Sequence, residues 1–327
     1  MTAAVFRSLD EARGRFGPCA LAIGNFDGVH IGHQALIHRA VEFAAVNRLT
    51  PAVLTFDPHP TAVVAPDRVA KMICTLDQRL RLLSRAGAGR ILVLPFTVDV
   101  ARLSPEEFVS QILVGALQTK GVFVGDNFRF GYKQAGTPDV LRKLSQEYGF
   151  ASEFIHPVHY RNEVVSSSSI RQYLGSGNVS RAGRLLGHCF TLEGSVVAGH
   201  GVGARQTVPT LNLRPVPSQV TPCGVYVTET SDDTGRTWPS ITNVGVRPTF
   251  DGEELTIETY LLAPLNDPVP GRIEVQFRRF VRPEKRFPDA AALKAQILKD
   301  VTRAQQYWRR FGQTRLQRSG MPDASLK

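Results

Sequence analysis

The sequence predicts an α/β doubly wound parallel sheet followed by a smaller antiparallel β domain with a C-terminal helix. Over the first half, short apolar runs alternate with amphipathic helical stretches, which implies β–α units and a parallel sheet. From Cys189 onward, short β-type runs are separated by Gly, Pro, Asn and Asp, a spacing that suits an antiparallel barrel or sandwich. The length, 327 residues, is too great for one small core and comfortable for two. We place the boundary at 175–188, where loop and short helix meet. The expected parts are residues 1–183, residues 184–310 and a basic tail, 311–327, expected to be flexible.

PCALAIG (18–24) reads as a strand. It is followed by a helix whose Leu36, Ile37, Ala40, Val41, Ala44 and Ala45 share one face. PAVLTF (51–56) is the next strand. Thr75 and Gln78 have capping-box spacing ahead of DQRLRLLSRAG. RILVLPF (90–96) is a third strand. Ser104, Pro105 and Glu107 supply N-cap, first-turn proline and capping partner for a helix to about Leu117. GVFVG (121–125) is a fourth strand. Thr137 and Pro138 open a further helix that Gly149 closes. The second half offers FTLEGSVV, VPTLNL, GVYVTE, ITNVGV, LTIETYLL and RIEVQFRRFV. One amphipathic helix follows, from about Asp289 to Trp308.

Composition narrows the class. The formal net charge is +10, which is compatible with a nucleic-acid partner or with substrates that carry several phosphates. Arg309, Arg310, Arg315 and Arg318 place part of the surplus near the C-terminus. There is no zinc-finger spacing and no Lys/Arg run of five, so a nucleic-acid partner is not expected. No apolar run reaches the ~18 residues of a membrane helix, and the first residues lack a secretory apolar core. A cytoplasmic protein is expected. Cys19, Cys74, Cys189 and Cys223 form no CxxC pair and read as small buried hydrophobes in a reducing compartment.

GNFDGVHIGH (24–33) is the most informative segment. Gly24, Gly28 and Gly32 allow close backbone approach to phosphates. His30 and His33 are three apart at a helix start, so they leave its first turn from one face. Such a terminus carries free N–H groups and partial positive charge. Imidazole donors there can stabilise a triphosphate as pyrophosphate leaves, and one well-placed donor is worth ~3–4 kcal/mol. FDPHP (56–60) and GDNFRFG (125–131) also follow directly on expected strands, where ligands bind parallel sheets.

GxFDxxHxGH with a later SSSxIR (Ser167, Ser168, Ser169, Ile170, Arg171) resembles the HxGH nucleotidyltransferase superfamily. The resemblance implies that His30 and His33 bind ATP phosphates together with Gly24, Asn25, Phe26, Asp27 and Gly32. It implies that Ser167, Ser168 and Arg171 contact ATP from the opposite side. FDPHP and GDNFRFG resemble the flavin-adenylylating members, bacterial bifunctional riboflavin kinase/FMN adenylyltransferases. By that resemblance Phe56, His59, Asn127 and Phe128 lie around the flavin.

PTLN (209–212) resembles the PTAN motif of riboflavin kinases, which implies a barrel, with Thr210 and Asn212 on magnesium and ATP phosphates. NVGVRPTF (243–250) resembles a further segment of that domain. Glu258 matches the glutamate that acts there as base on the riboflavin 5′-hydroxyl, pointing into a barrel mouth. The implied substrates are riboflavin, FMN and ATP, and the implied cofactor is Mg2+. The chain departs from the family pattern at GARQTV (203–208), where Ala204 replaces an arginine and Thr207 and Val208 replace glycine and phenylalanine. The alternative is an HxGH adenylyltransferase for another phosphorylated acceptor, with a catalytically inactive barrel that is regulatory or binds nucleic acid.

Overall fold

The computed structural model describes residues 2–197, 210–214, 216–249, 252–265 and 268–319. The chain divides into two compact units, Met1–Ser167 and Ser168–Lys327. The division falls earlier than the composition change, because the helix Ser167–Gly175 groups with the second unit. The atypical stretch 203–208 lies outside the described residues.

The first unit is a six-stranded sheet. Its strands are β1 (Ala4–Phe6), β2 (Cys19–Ile23), β3 (Thr50–Asp57), β4 (Arg90–Pro95), β5 (Thr119–Gly125) and β6 (Ala151–Ile155). The order is β1-β4-β3-β2-β5-β6, and every neighbouring pair is parallel. From β2 the chain winds outward through β3 to β4, then returns to the other side of β2 with β5. The order therefore reverses between β2 and β5, and ligands bind parallel sheets at such a point. Leu21, Leu54, Leu92 and Val122 pack one face of the sheet. Ala22, Val53, Ile91 and Phe123 pack the other, beneath the helices Ile31–Asn47 and Leu76–Arg85.

The expected caps are present. Thr75 and Gln78 form a capping box, as do Ser104 and Glu107, and Gly149 closes the helix Pro138–Tyr148 at φ +71°. Two features differ from expectation. β1 and β6 add a strand at each edge of the sheet, and the turns Phe108–Ala116 are wound with π-type spacing. A short hairpin, β7 (His159–Tyr160) and β8 (Glu163–Val164), precedes the unit's end.

The second unit is a closed antiparallel barrel. Its strands are β9 (Phe190–Val197), β10 (Thr210–Leu213), β11 (Gly224–Asp232), β12 (Thr237–Thr249), β13 (Gly252–Leu261) and β14 (Arg272–Arg282). They close in the order β10-β13-β12-β11-β14-β9, with β9 returning to β10. Of the two architectures the spacing allowed, the barrel is the one formed. Thr228, Ser240, Thr242 and Thr259 are sealed from solvent and linked hydroxyl to hydroxyl at 2.8–3.0 Å, so each buried polar group has a partner. The helix Ala290–Ser319 packs Ala304, Val301 and Tyr307 on Val225, Val227 and Ile241. It continues past Trp308, where the apolar pattern stops. Residues after Ser319 lie outside the described residues.

Candidate active sites

The loop 24–30 leaves β2 at the switch point. Phe26 (φ +51°), Gly28 (φ +78°) and Val29 (φ +39°) all take left-handed backbone. For Phe26 and Val29 that conformation is costly, and such strain concentrates at functional sites. Phe26 is fully buried, with its ring folded over Gly24, where a Cβ would come within 3.3 Å of the ring. The loop is thus held from below by an aromatic anchor.

His30 is the N-cap of the helix Ile31–Asn47, and its Nδ1 accepts the backbone N–H of His33 at 3.2 Å. An imidazole that accepts at Nδ1 carries its proton on Nε2 when neutral. Burial lowers the His30 pKa to about 4, so the ring is neutral at physiological pH. His33 lies parallel to it, ring centroids 3.5 Å apart. The His33 pKa is pushed well down by burial and by the positive fields of His30 and Arg79. Its Nδ1 is sealed and has no hydrogen-bond partner among the described residues. Gly32 makes room for this arrangement, since a Cβ there would sit 3.2 Å from the His30 ring. The first turn of the helix contains no acid, so its N-terminal positive end is uncompensated.

The remaining candidates fall into distinct environments. The Asp27 carboxylate is buried and accepts the backbone N–H groups of Ile73 (2.9 Å) and Cys74 (3.3 Å). It pins the loop ahead of the helix Leu76–Arg85. The Asn25 side chain meets His59 Nε2 at 3.0 Å, joining the loops after β2 and β3. Phe56 is a core residue, edge-on to Phe96, while Phe128 is half-buried and stacked on Phe130. Asn127 is exposed in the loop after β5. The hydroxyl of Ser167 donates to the backbone oxygen of Asp27 at 3.0 Å, so the start of the SSSSIR helix is tied to the loop 24–30. Ser168 and Arg171 follow on that helix, in the second unit.

Arg79 gave no signal in the sequence beyond its place in a helix. It is buried, and its guanidinium donates to the Phe56 carbonyl (2.9 Å) and the Thr55 hydroxyl (3.4 Å), while Nε has no partner among the described residues. Thr55 in turn donates to the Asn25 carbonyl at 3.1 Å. A fixed positive charge thus lies behind the loop 24–30.

In the barrel, Asn212 is registered opposite Glu258, and Glu258 opposite Asn243, across β10, β13 and β12. Alternation puts Leu211, Leu213, Ile257 and Thr259 inside the barrel and Thr210, Asn212, Glu258 and Tyr260 outside. Glu258 therefore does not point into a barrel mouth. It lines a cavity of about 250 Å³ on the outer face, with Asn243, Tyr260, Phe287, Leu293 and Ile297. The carboxylate lies under a roof formed by the C-terminal helix and the preceding segment. Thr210 Oγ1 is buried without a hydrogen-bond partner among the described residues. An orphan hydroxyl beside an amide oxygen on the same face is a fitting pair of ligands for a hard cation. Asn243 was quoted within its motif, but its place beside Glu258 is visible only from the register.

All four cysteines are thiols rather than disulfides. Cys19 and Cys74 are buried as expected, but Cys189 is half-buried and Cys223 exposed. Among the described residues, no helix is long and apolar enough to cross a membrane.

Comparison with known proteins bears on both units. The FAD synthetase family model matches residues 14–169, and the riboflavin kinase model residues 186–308. A bifunctional riboflavin kinase/FMN adenylyltransferase of Escherichia coli K12 is 36% identical over 91% of this chain and 94% of its own. The Pseudomonas fluorescens protein of the same name is 34% identical over 91% of this chain and 96% of its own. A solved structure of a macrolide-efflux protein from Streptococcus pneumoniae superposes with a TM-score of 0.81 at 27% identity, covering 92% of this chain and 97% of its own. The chain belongs to the bifunctional riboflavin kinase/FMN adenylyltransferase family.

Proposed function

We propose that the barrel phosphorylates riboflavin to FMN with ATP, and that the α/β unit transfers AMP from a second ATP to FMN, giving FAD and pyrophosphate. The observation that carries the reading is that each family's motif residues gather in a separate place, around His30 after β2 and around Glu258 on the barrel. At the first site the His30 Nε2–H and the acid-free helix N-terminus take the growing charge on pyrophosphate, joined by His33, Arg171 and the backbone of 24–32. The FMN phosphate is already an adequate nucleophile, so the step needs positioning and charge stabilisation rather than a base. Asn127 and Phe128, on the loop after β5, and His59, on the loop after β3, face the flavin side.

At the second site Glu258 accepts the proton of the riboflavin 5′-hydroxyl as the γ-phosphoryl group arrives. Leu293, Ile297 and Phe287 exclude water from the isoalloxazine. Thr210 and Asn212 hold the phosphates and Mg2+, which supplies charge neutralisation when bound with ATP. The cysteine thiols suit a reducing compartment, and we place the reactions in the cytoplasm.

Incubation with riboflavin, ATP and magnesium, with FMN and FAD separated over time, tests this. His30→Ala and Arg171→Ala lower FAD formation by about 10²-fold or more and spare FMN formation. Glu258→Ala lowers FMN formation from riboflavin and spares FAD formation when FMN is supplied directly. Equal loss of both activities in a folded variant would falsify the assignment to two sites.

A further inference from the structure

The C-terminal unit holds a second cavity that neither reaction uses. It measures about 480 Å³ and lies between β14 and the later turns of the C-terminal helix, lined by Arg279, Phe280, Arg303, Tyr307, Arg310 and Phe311 among others. It shares no lining residue with the Glu258 cavity, whose helix residues are Leu293, Ile297 and Asp300.

Its chemistry is one-sided. Among the described residues, three guanidiniums line it and no carboxylate does. Arg303 and Arg310 are seven apart, so they lie on one helix face, opposite Arg279 of β14. The remaining wall is aromatic. Tyr307 and Phe311 lie parallel, 6.0 Å apart, while the Phe280 ring packs on Tyr226 from the other face of β14. Behind them Arg278 sits over the Phe311 ring at 5.7 Å and is tied to Glu229, which fixes the wall. Guanidinium forks recognise phosphate oxygens in pairs, and aromatic walls recognise planar rings. The volume falls in the range of small-molecule sites, ~300–1,000 Å³, rather than of an open track for a polymer.

We propose that this cavity binds a phosphorylated planar aromatic molecule, a flavin or an adenine nucleotide, at a site separate from both reaction centres. The chemistry required is at least one phosphate for Arg279 and Arg303 and one ring system for Tyr307 and Phe311. The inference rests on this cavity alone, and it stands or falls independently of which residues perform the two transfers.

Equilibrium dialysis of the full chain with FMN, and separately with ATP, decides it. The comparison is the wild type against an Arg279→Gln/Arg303→Gln double variant. Both positions are exposed, and retained FMN and FAD formation at saturating substrate verifies the fold. If the pair destabilises the chain, Arg303→Gln alone serves. The wild type is expected to bind one more FMN or one more ATP per chain, with that site weakened about tenfold or more in the variant, ~1.4 kcal/mol. Which of the two nucleotides displaces the other identifies the source. Riboflavin, lacking phosphate, leaves the extra site empty. Wild type and variant binding the same number of FMN and the same number of ATP per chain, with equal affinity, overturns the proposal. So does inorganic phosphate binding as tightly as the nucleotides, or a loss confined to a short single-stranded RNA probe.

Discussion

His30 does two jobs with its two nitrogens. Nδ1 caps the helix by accepting the His33 N–H, which leaves Nε2–H as the donor we propose for phosphate. The jobs separate by substitution. Asparagine can keep the cap through its side-chain oxygen, whereas alanine loses it at a cost of about 1 kcal/mol. His30→Asn and His30→Ala should therefore lose FAD formation alike, while only the alanine variant melts earlier in thermal unfolding at pH 7. The ring also carries a pH signature. Burial pushes its pKa down to about 4 in the folded chain from its ordinary 6.5, so the unfolded chain binds more protons between those values. Its contribution is complete above pH 6.5 and is lost as pH falls toward 4, at ~1.4 kcal/mol per unit. Urea unfolding at pH 7 and pH 5 measures this, and His30→Asn should show a shallower loss between the two. An unchanged slope would mean that the ring is not held neutral by burial.

The elements show which parts of this fold could be read and which could not. The caps at Thr75, Ser104 and Thr137 were legible because capping is a local interaction between residues three apart. The central strands were legible because burial on both faces makes them continuously apolar, as in CALAI and AVLTF. β1 and β6 were not, since both are edge strands. ASEFI is only partly buried along its length and carries polar residues where a central strand would not. The orientation of Glu258 was illegible for a different reason. Period-two alternation says that Glu258 and Thr259 face opposite ways but not which way is in. Only the threonine and serine layer inside the barrel settles it, and hydroxyls at a core are the reverse of the usual pattern. Closure of the barrel has its own weak point. At Gly194, which β9 pairs with Ile273 of β14, an added Cβ would lie 2.4 Å from the Arg214 backbone oxygen. Gly194→Ala should push β9 away from the segment after β10, cost ~1–3 kcal/mol and depress FMN formation through Thr210 and Asn212. FAD formation from supplied FMN should persist, and parallel assays of the two products check this.

At the scale of the molecule, the two units carry separate cores, and the question is where the adenylyl-transferring part ends. The contact boundary falls at Ser167, the FAD synthetase match runs to residue 169, and the expected domain ran to residue 183. The expected boundary adds the start of the helix Val179–Leu186 and the helix Ser167–Gly175, which carries Ser168 and Arg171. All six strands of the sheet precede it, so the sheet's core does not depend on it. If Arg171 neutralises phosphate charge in adenylyl transfer, the functional boundary must lie beyond the structural one. A fragment Met1–Gly187 should then form FAD from FMN and ATP. A fragment Met1–Ser167 should melt cooperatively yet form FAD ~10²-fold or more slowly, the cost of losing one charge-stabilising donor. Matched rates for two folded fragments would show that the α/β unit is catalytically complete without Arg171. A slow shorter fragment that Arg171→Ala reproduces in the full chain would assign the loss to that one side chain rather than to truncation.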